Sequence, residues 1–186
     1  MNSRQGFTLL ELLIVCAIAG ILFGVAIPSF HEFIQRNQAT VAINRVIGAV
    51  NFARMESVTR RKTITLCPAD GIETCGRHWQ NGILIFVDYN SNGKFNTDDE
   101  LIRMTPALPE GSSLSWSSFG SDYYLRFSPL GFTQHQNGTF KYCPPDKNVY
   151  FAKLAVLNKA GRVRPSSDTD RNGILNLANG KDVSCI

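Results

Sequence analysis

The hydrophobic pattern of the chain changes near Lys62, and the two patterns predict different kinds of structure. Residues 7–27 are predominantly apolar and carry a single charge, Glu11. A run of this length matches the ~20 residues that a helix needs to cross a bilayer. The amino-terminal segment is therefore predicted to be a membrane-spanning helix that contains one carboxylate.

From Phe30 onwards apolar side chains recur every three or four residues, the spacing of an amphipathic helix. We expect the helix to continue through Pro28 with a kink, because proline interrupts the hydrogen-bond ladder. The predicted apolar face consists of Phe30, Phe33, Ile34, Val41, Ile43, Val46, Ile47, Val50 and Ala53. The charged residues are interpreted as a mostly solvated opposite face: Arg36, Arg45, Arg54, Glu56, Arg60 and Arg61.

Beyond Lys62 the chain consists of short segments rich in β-branched and aromatic residues, separated by Gly, Asn, Asp and Pro. This pattern predicts antiparallel strands in one or two sheets wrapped on the helix. The segments are TITLC, ILIFVDY, ELIRM, SLSWSSF, YYLRFS, TFKYC, VYFAKLAVL and GRVRP. The predicted fold class is therefore α+β, with a single β-rich head.

The five cysteines favour a head that matures in an oxidising compartment. Cys16 lies in the apolar helix and is interpreted as a small buried hydrophobe. The other four form an even set in the head and allow three disulfide pairings. A local bridge from Cys67 to Cys75 is favoured because CPADGIETC contains a turn, and it leaves Cys143 to pair with Cys185.

The segment DYNSNGKFNTDDE imitates a calcium-binding loop, with oxygen-bearing side chains at alternate positions from Asp88. Its last ligand position holds Asp99 instead of a bidentate glutamate, and the preceding ILIFV predicts a strand instead of a helix. We therefore interpret it as a polar hairpin turn. CxxC pairs are absent, and so are GxSxG, P-loop and HExxH motifs. The sequence thus predicts no catalytic residues, no metal and no cofactor.

Glu11 requires an explanation, because an unpaired carboxylate inside hydrocarbon costs about 2.5–3.5 kcal/mol. A simple membrane anchor does not supply a cation. A secretory signal peptide fits poorly, because the apolar run is too long and no A-x-A site follows it. Cleavage between Gly6 and Phe7 would create an α-amino group, and the ammonium of a neighbouring subunit could then pair with Glu11.

GFTLLELL followed by a long apolar helix resembles the class III signal of type IV pilins and type II secretion pseudopilins. The resemblance implies cleavage after Gly6 by prepilin peptidase, methylation of Phe7 and a role for Glu11 in assembly. It also implies the type IV pilin fold, a long helix packed on an antiparallel β-rich head. The expected parts are a leader at 1–6, an apolar helix at 7–29, an amphipathic helix at 30–62 and the head at 63–186.

The segment KAGRVRPSSD is a candidate phosphate-binding hairpin. Gly161 can supply a turn, and Arg162 and Arg164 then point to the same side of a strand. Lys159 adds charge to this patch, and forked guanidiniums suit phosphate oxygens. A surface arginine pair is also typical of a solvated strand edge. The net charge of +4 permits contact with nucleic acid or anionic lipid without demonstrating it.

LNKAGRVRP resembles the G-R-x-R motif of FimT-type minor pilins, which bind DNA during uptake for natural transformation. AVNFARMESVTRRKTITLC and RFSPLGFTQHQNGTFKYC also resemble segments of the GspH/FimT/FimU group. The resemblance implies double-stranded DNA and other minor and major pilins as partners. It also implies residence in the inner membrane, with the head in the periplasm, before assembly into a pilus. A FimU-like structural pilin that primes or caps the fibre and a GspH-like pseudopilin of type II secretion remain alternatives.

Overall fold

The structure is a computed structural model that describes residues 8–71 and 73–185. The predicted cleavage position, Gly6 and Phe7, lies outside the described residues. The chain forms two compact units, Met1–Asn37 and Gln38–Ile186. A single helix, α1, spans Leu9–Arg60 and is long and apolar enough to cross a membrane. Its continuation through position 28 agrees with the sequence prediction, whereas the kink stays a prediction.

Nearly all side chains that the structure describes within residues 8–37 are exposed in the single chain. Leu9, Ile21 and Phe30, for example, are 77%, 70% and 65% exposed. Cys16 is exposed as well, so its interpretation as a buried residue is wrong for the isolated subunit. The apolar surface of this segment therefore has no cover within the part of the chain that the structure describes.

The head contains two four-stranded antiparallel sheets, as the short apolar segments predict. The first sheet has the order β3-β2-β1-β5 and the second the order β4-β6-β7-β8. The strands are β1 Ile64–Pro68, β2 Ile83–Val87, β3 Glu100–Met104, β4 Ser113–Ser118, β5 Leu125–Phe127, β6 Gly138–Cys143, β7 Lys153–Leu157 and β8 Val163–Pro165. Val149–Phe151 was expected to extend β7 but forms a 3₁₀ turn, because the Asn148 side chain accepts a hydrogen bond from the backbone N–H of Tyr150.

The second half of α1 shares one core with residues of both sheets, and it contributes mostly small side chains. Its buried residues recur at helical spacing and are Ala39, Ala42, Ile43, Val46, Ala49, Val50, Ala53 and Ser57. The predicted apolar face is therefore rotated toward the alanines, and Val41 is 48% exposed. Small side chains on this face leave room for the large residues of the strands, such as Phe127, Phe140 and Tyr142, in a close-packed core.

Three helix arginines expected to be solvated instead join α1 to loops and strands of the head. Arg45 Nη1 donates to the backbone carbonyls of Pro106 and Ala107 at 3.3 and 3.2 Å. Arg54 Nε donates to the carbonyl of Gly131 at 3.1 Å. Arg60 pairs with Glu56 and Glu100. Arg45 and Arg54 are half-buried against partners far away in sequence, so the solvated interpretation is wrong for these two. Arg60 remains exposed, as expected, and one of its partners, Glu56, lies in the same helix.

Disulfides connect Cys67 with Cys75 and Cys143 with Cys185, the pairing that the sequence favours. The second disulfide holds the carboxy-terminal tail against the outer side of β6 and β7. There Cys143, Leu154 and Val183 form a small apolar cluster. Each sheet is therefore covered on the face that points away from α1, since loop residues such as Phe95 and Tyr124 pack outside the first sheet.

Candidate assembly segment and nucleic-acid interface

Glu11 has a hydrogen-bonding partner within its own chain. Its Oε2 accepts hydrogen bonds from the backbone N–H and from the hydroxyl of Thr8, both at 3.0 Å. The Thr8 Oγ1 accepts in return from the backbone N–H of Glu11 at 3.3 Å. This reciprocal arrangement is a capping box, which satisfies otherwise unpaired N–H groups at the start of a helix.

Thr8 was not singled out from the sequence, although the signal is present. T-L-L-E directly before an apolar run matches the S/T-x-x-E/Q signature of a capping box. Glu11 therefore has a local role in starting α1. That role is compatible with a second one in assembly, because a carboxylate has lone pairs for more than one donor.

The predicted phosphate-binding segment forms the turn between β7 and β8. The strands pair in the register Leu157↔Val163 and Val156↔Arg164. Within the turn, Gly161 N–H donates to the Asn158 carbonyl at 2.9 Å, and the Arg162 N–H donates to Asn158 Oδ1 at 3.0 Å. Arg162 thus precedes β8, while Arg164 lies within it.

The three cations of the turn are exposed and available. Lys159, Arg162 and Arg164 all lie on the surface, whereas Val163 between the arginines packs partly against the core. Since successive strand side chains point to opposite faces, Arg164 is directed away from the core. Within residues 8–71 and 73–185, none of the three cationic groups forms an ion pair.

The turn is fixed in place by a neighbouring loop and by α1. The carbonyl of Lys159 accepts hydrogen bonds from the backbone N–H and the hydroxyl of Thr133, both at 3.2 Å. Gly161 has φ +74°, and a Cβ at this position would lie 2.4 Å from the Gly131 carbonyl oxygen. Arg54 holds that same carbonyl. The motif therefore needs glycine here for both conformation and space.

Acidic residues follow the hairpin, but their carboxylates accept hydrogen bonds from neighbouring groups of the tail. The Asp168 carboxylate accepts hydrogen bonds from the backbone N–H groups of Arg171 and Gly173 at 2.6 and 2.8 Å. Desolvation acts to raise the pKa of Asp168, but these hydrogen bonds together hold it below its ordinary value. Asn172 donates to both Asp170 and Asp182. The acidic groups thus order the tail and form no ion pair with the hairpin cations.

The segment that imitates a calcium loop connects β2 with β3 as a polar turn. Buried Asp88 accepts hydrogen bonds from the N–H groups of Asn92 and Gly93 and from the hydroxyl of Thr65. Its carboxylate is therefore used to close the loop. Among the described residues, no group of three or more His, Cys, Asp or Glu side chains is arranged to hold a metal ion.

Two family models match the chain. The model described as "Type II transport protein GspH" matches residues 42–161, more than half of the chain. The chain belongs to the GspH family. The model described as "Prokaryotic N-terminal methylation motif" matches residues 1–27 of this GspH-family protein. The two matches identify it as a type IV minor pilin or pseudopilin.

Two relatives of this GspH-family protein are named as fimbrial proteins. A fimbrial protein of Moraxella nonliquefaciens is 31% identical over 129 residues, 58% of this chain and 79% of that protein. Fimbrial protein Q of Moraxella bovis is 48% identical over 48 residues, 26% of this chain and 28% of that protein. The chain thus aligns with most of the first relative but with under a third of the second.

The fold of this GspH-family protein is that of type IV pilins. It resembles the crystal structure of the type IV minor pilin FimU of Pseudomonas aeruginosa with a TM-score of 0.58. The two are 18% identical, and the match covers 73% of this chain and 92% of that one. The long amino-terminal helix with antiparallel sheets, expected from the resemblance, is confirmed.

Proposed function

We propose that this protein is a FimT-like minor pilin that binds DNA without sequence preference through the β7–β8 turn. The observation that carries the proposal is the group of three exposed cations, Lys159, Arg162 and Arg164, on a turn held by Gly131 and Thr133. Guanidiniums and ammoniums in this position would contact phosphate oxygens, which carry no base sequence.

A fixed turn binds an extended polyanion more effectively than a flexible one. Because the backbone of Lys159 is already hydrogen-bonded to Thr133, little ordering of the main chain remains to oppose binding. DNA held in this way by a pilus subunit would be drawn inward when the fibre retracts. This is the role in natural transformation that the sequence resemblance implies.

Processing and assembly follow the pilin scheme in this proposal. Prepilin peptidase cuts after Gly6, and the new amino group of Phe7 is methylated. The helix 7–29 holds the protein in the inner membrane, with the head in the periplasm, until other minor and major pilins incorporate it into the fibre. The support is the methylation-motif match at residues 1–27 and the exposed apolar surface of α1.

DNA binding is tested with the full chain in neutral detergent micelles and a fluorescent double-stranded oligonucleotide. The double change Arg162→Gln and Arg164→Gln removes two phosphate contacts, so we expect at least tenfold weaker binding and a smaller slope of log affinity against log salt. Arg77→Gln with Lys94→Gln removes the same charge from two other exposed positions and should leave most of the affinity. Equal losses in both double variants would contradict the proposal.

A second candidate, a pseudopilin of type II secretion, is favoured by the description of the matching family model. In that role, or in that of a structural FimU-like pilin, the arginines would be incidental. Deletion of the gene distinguishes a role in the type IV pilus from a role in type II secretion. Loss of secreted enzymes with normal transformation supports the second candidate. Loss of transformation with normal secretion supports a pilus role, and the double variant Arg162→Gln with Arg164→Gln then separates DNA binding from a purely structural role.

A further inference from the structure

A tight turn next to the cationic hairpin exposes two large apolar side chains. Leu130 and Phe132 are 76% and 52% exposed. The turn is closed by three hydrogen bonds: Ser128 N–H to the Phe132 carbonyl at 2.9 Å, Gly131 N–H to the Ser128 carbonyl at 2.8 Å, and Phe132 N–H to Ser128 Oγ at 3.3 Å. The backbone that carries the Phe132 ring is therefore fixed.

This turn and the hairpin form one unit. Thr133, the residue after Phe132, donates two hydrogen bonds to the Lys159 carbonyl. Gly131, the residue before Phe132, lies against Gly161 and accepts the hydrogen bond from Arg54. An exposed aromatic ring is thus attached on both sides to the backbone that presents the cations.

We propose that this combined surface binds single-stranded DNA, with an unpaired base stacked on the Phe132 ring. We call it the stacking surface, made of Leu130, Phe132, Lys159 and Arg162. The inference rests on the proposed DNA-binding function and adds the form of the DNA to it. Cations that follow the backbone, together with an aromatic ring for a base, are the two parts that single-strand binding proteins combine.

The geometry favours a single strand over a duplex. Bases in a duplex are already stacked on each other, so a protein ring in solvent gains a base partner only where the strand is unpaired. Arginine and lysine contacts to phosphate serve both forms of DNA equally. The ring is therefore the part of the stacking surface that distinguishes the two forms.

The test compares a labelled oligothymidylate with a duplex of equal length, at one fixed salt concentration and with the full chain in neutral micelles. Phe132→Ala should weaken binding of the single strand about tenfold, the size expected for one stacked base, and leave duplex binding within twofold. Phe132→Tyr keeps a ring and should retain single-strand affinity. Phe119→Ala removes a ring that is 74% exposed in another loop and should change neither affinity.

Each alternative outcome has a defined meaning. If Phe132→Ala changes neither affinity while Arg162→Gln with Arg164→Gln abolishes both, DNA binding stands and the stacking inference is wrong. Equal weakening of single strand and duplex by Phe132→Ala also overturns it, as does a change confined to association with other pilins. If the unchanged protein binds neither DNA, both proposals fail. Phe132→Leu keeps apolar bulk without a ring, so it provides the comparison should Phe132→Ala not fold.

Discussion

At the scale of single residues, the central feature is the contact between Gly161 and the Gly131 carbonyl. The positive φ of Gly161 is one reason for glycine at this position, and the 2.4 Å approach of a backbone oxygen to a Cβ is a second. Arg54 Nε donates a hydrogen bond to the same oxygen and would itself lie 3.1 Å from that Cβ. A residue of the helix thereby supports the placement of residues proposed to hold DNA.

Replacement Gly161→Ala should lower the stability of the head and the affinity for DNA although both arginines remain. A non-glycine residue in the left-handed region costs about 1–2 kcal/mol, and the clash with the Gly131 oxygen adds to this. For a total of about 2 kcal/mol, thermal unfolding should shift downward by roughly 4–8 °C, at about 2–4 °C per kcal/mol for a chain of this size.

Gly180→Ala is the matched control for this prediction. Gly180 has φ +78°, and a Cβ there would meet no atom within 4 Å. It shares the conformational cost but not the clash. If both variants unfolded at the same temperature, the close approach would contribute nothing.

At the scale of elements, the carboxylate at the beginning of α1 caps the helix and is also the group proposed to act in assembly. Thr8→Val removes the cap hydroxyl and should cost about 1 kcal/mol of helix stability at the first turn. Glu11→Gln retains an oxygen that can accept from Thr8 but loses the charge. If a neighbouring ammonium pairs with Glu11 during assembly, Glu11→Gln should nearly abolish incorporation while Thr8→Val should reduce it only slightly.

Immunoblots of sheared fibres measure incorporation for these two variants, and the size of the membrane-bound form reports leader cleavage. Both variants should be cleaved normally. A larger loss for Thr8→Val than for Glu11→Gln would show that capping, and not charge pairing, is the main role of Glu11.

The carboxy-terminal tail is the element that depends most on a covalent bond. Cys143 and Cys185 are 42 residues apart in sequence. By limiting the conformations of the unfolded chain, their disulfide should raise the free energy of the unfolded state by about 4 kcal/mol. The double change Cys143→Ala and Cys185→Ala should lower the free energy of unfolding by about 2–4 kcal/mol, measured in urea. Cys67 and Cys75 are only 8 residues apart, so removing them should cost less. The reverse order would contradict the entropic account.

At the scale of the whole molecule, the sequence predicts most elements but few of the contacts between them. The eight strand segments and the long helix follow from local periodicity, which is a property of neighbouring residues. The contact of Arg45 with Pro106 and Ala107 depends on packing between residues about sixty positions apart. The burial of Ala39, Ala42 and Ala49 likewise depends on how close the sheets approach α1.

The candidate site shows the same division between local and distant information. The spacing of Arg162 and Arg164 is visible in the sequence, and so is the turn at Gly161. The support from Thr133, Gly131 and Arg54 is not visible, because it joins three separate segments. The exposure of Phe132 is equally hidden, since apolar residues next to a strand are usually expected to be buried.

Because the β7–β8 turn is attached to two other segments, the motif cannot be transferred to another protein on its own. A synthetic peptide with the sequence NKAGRVRP would keep its charges but lose the hydrogen bonds from Thr133 and the carbonyl on which Gly161 rests. Grafting the proposed DNA-binding surface onto another scaffold would therefore require the turn at Ser128–Thr133 and a guanidinium in the place of Arg54. The smallest unit that could be transferred therefore consists of three segments of the chain, and not of the eight-residue peptide alone.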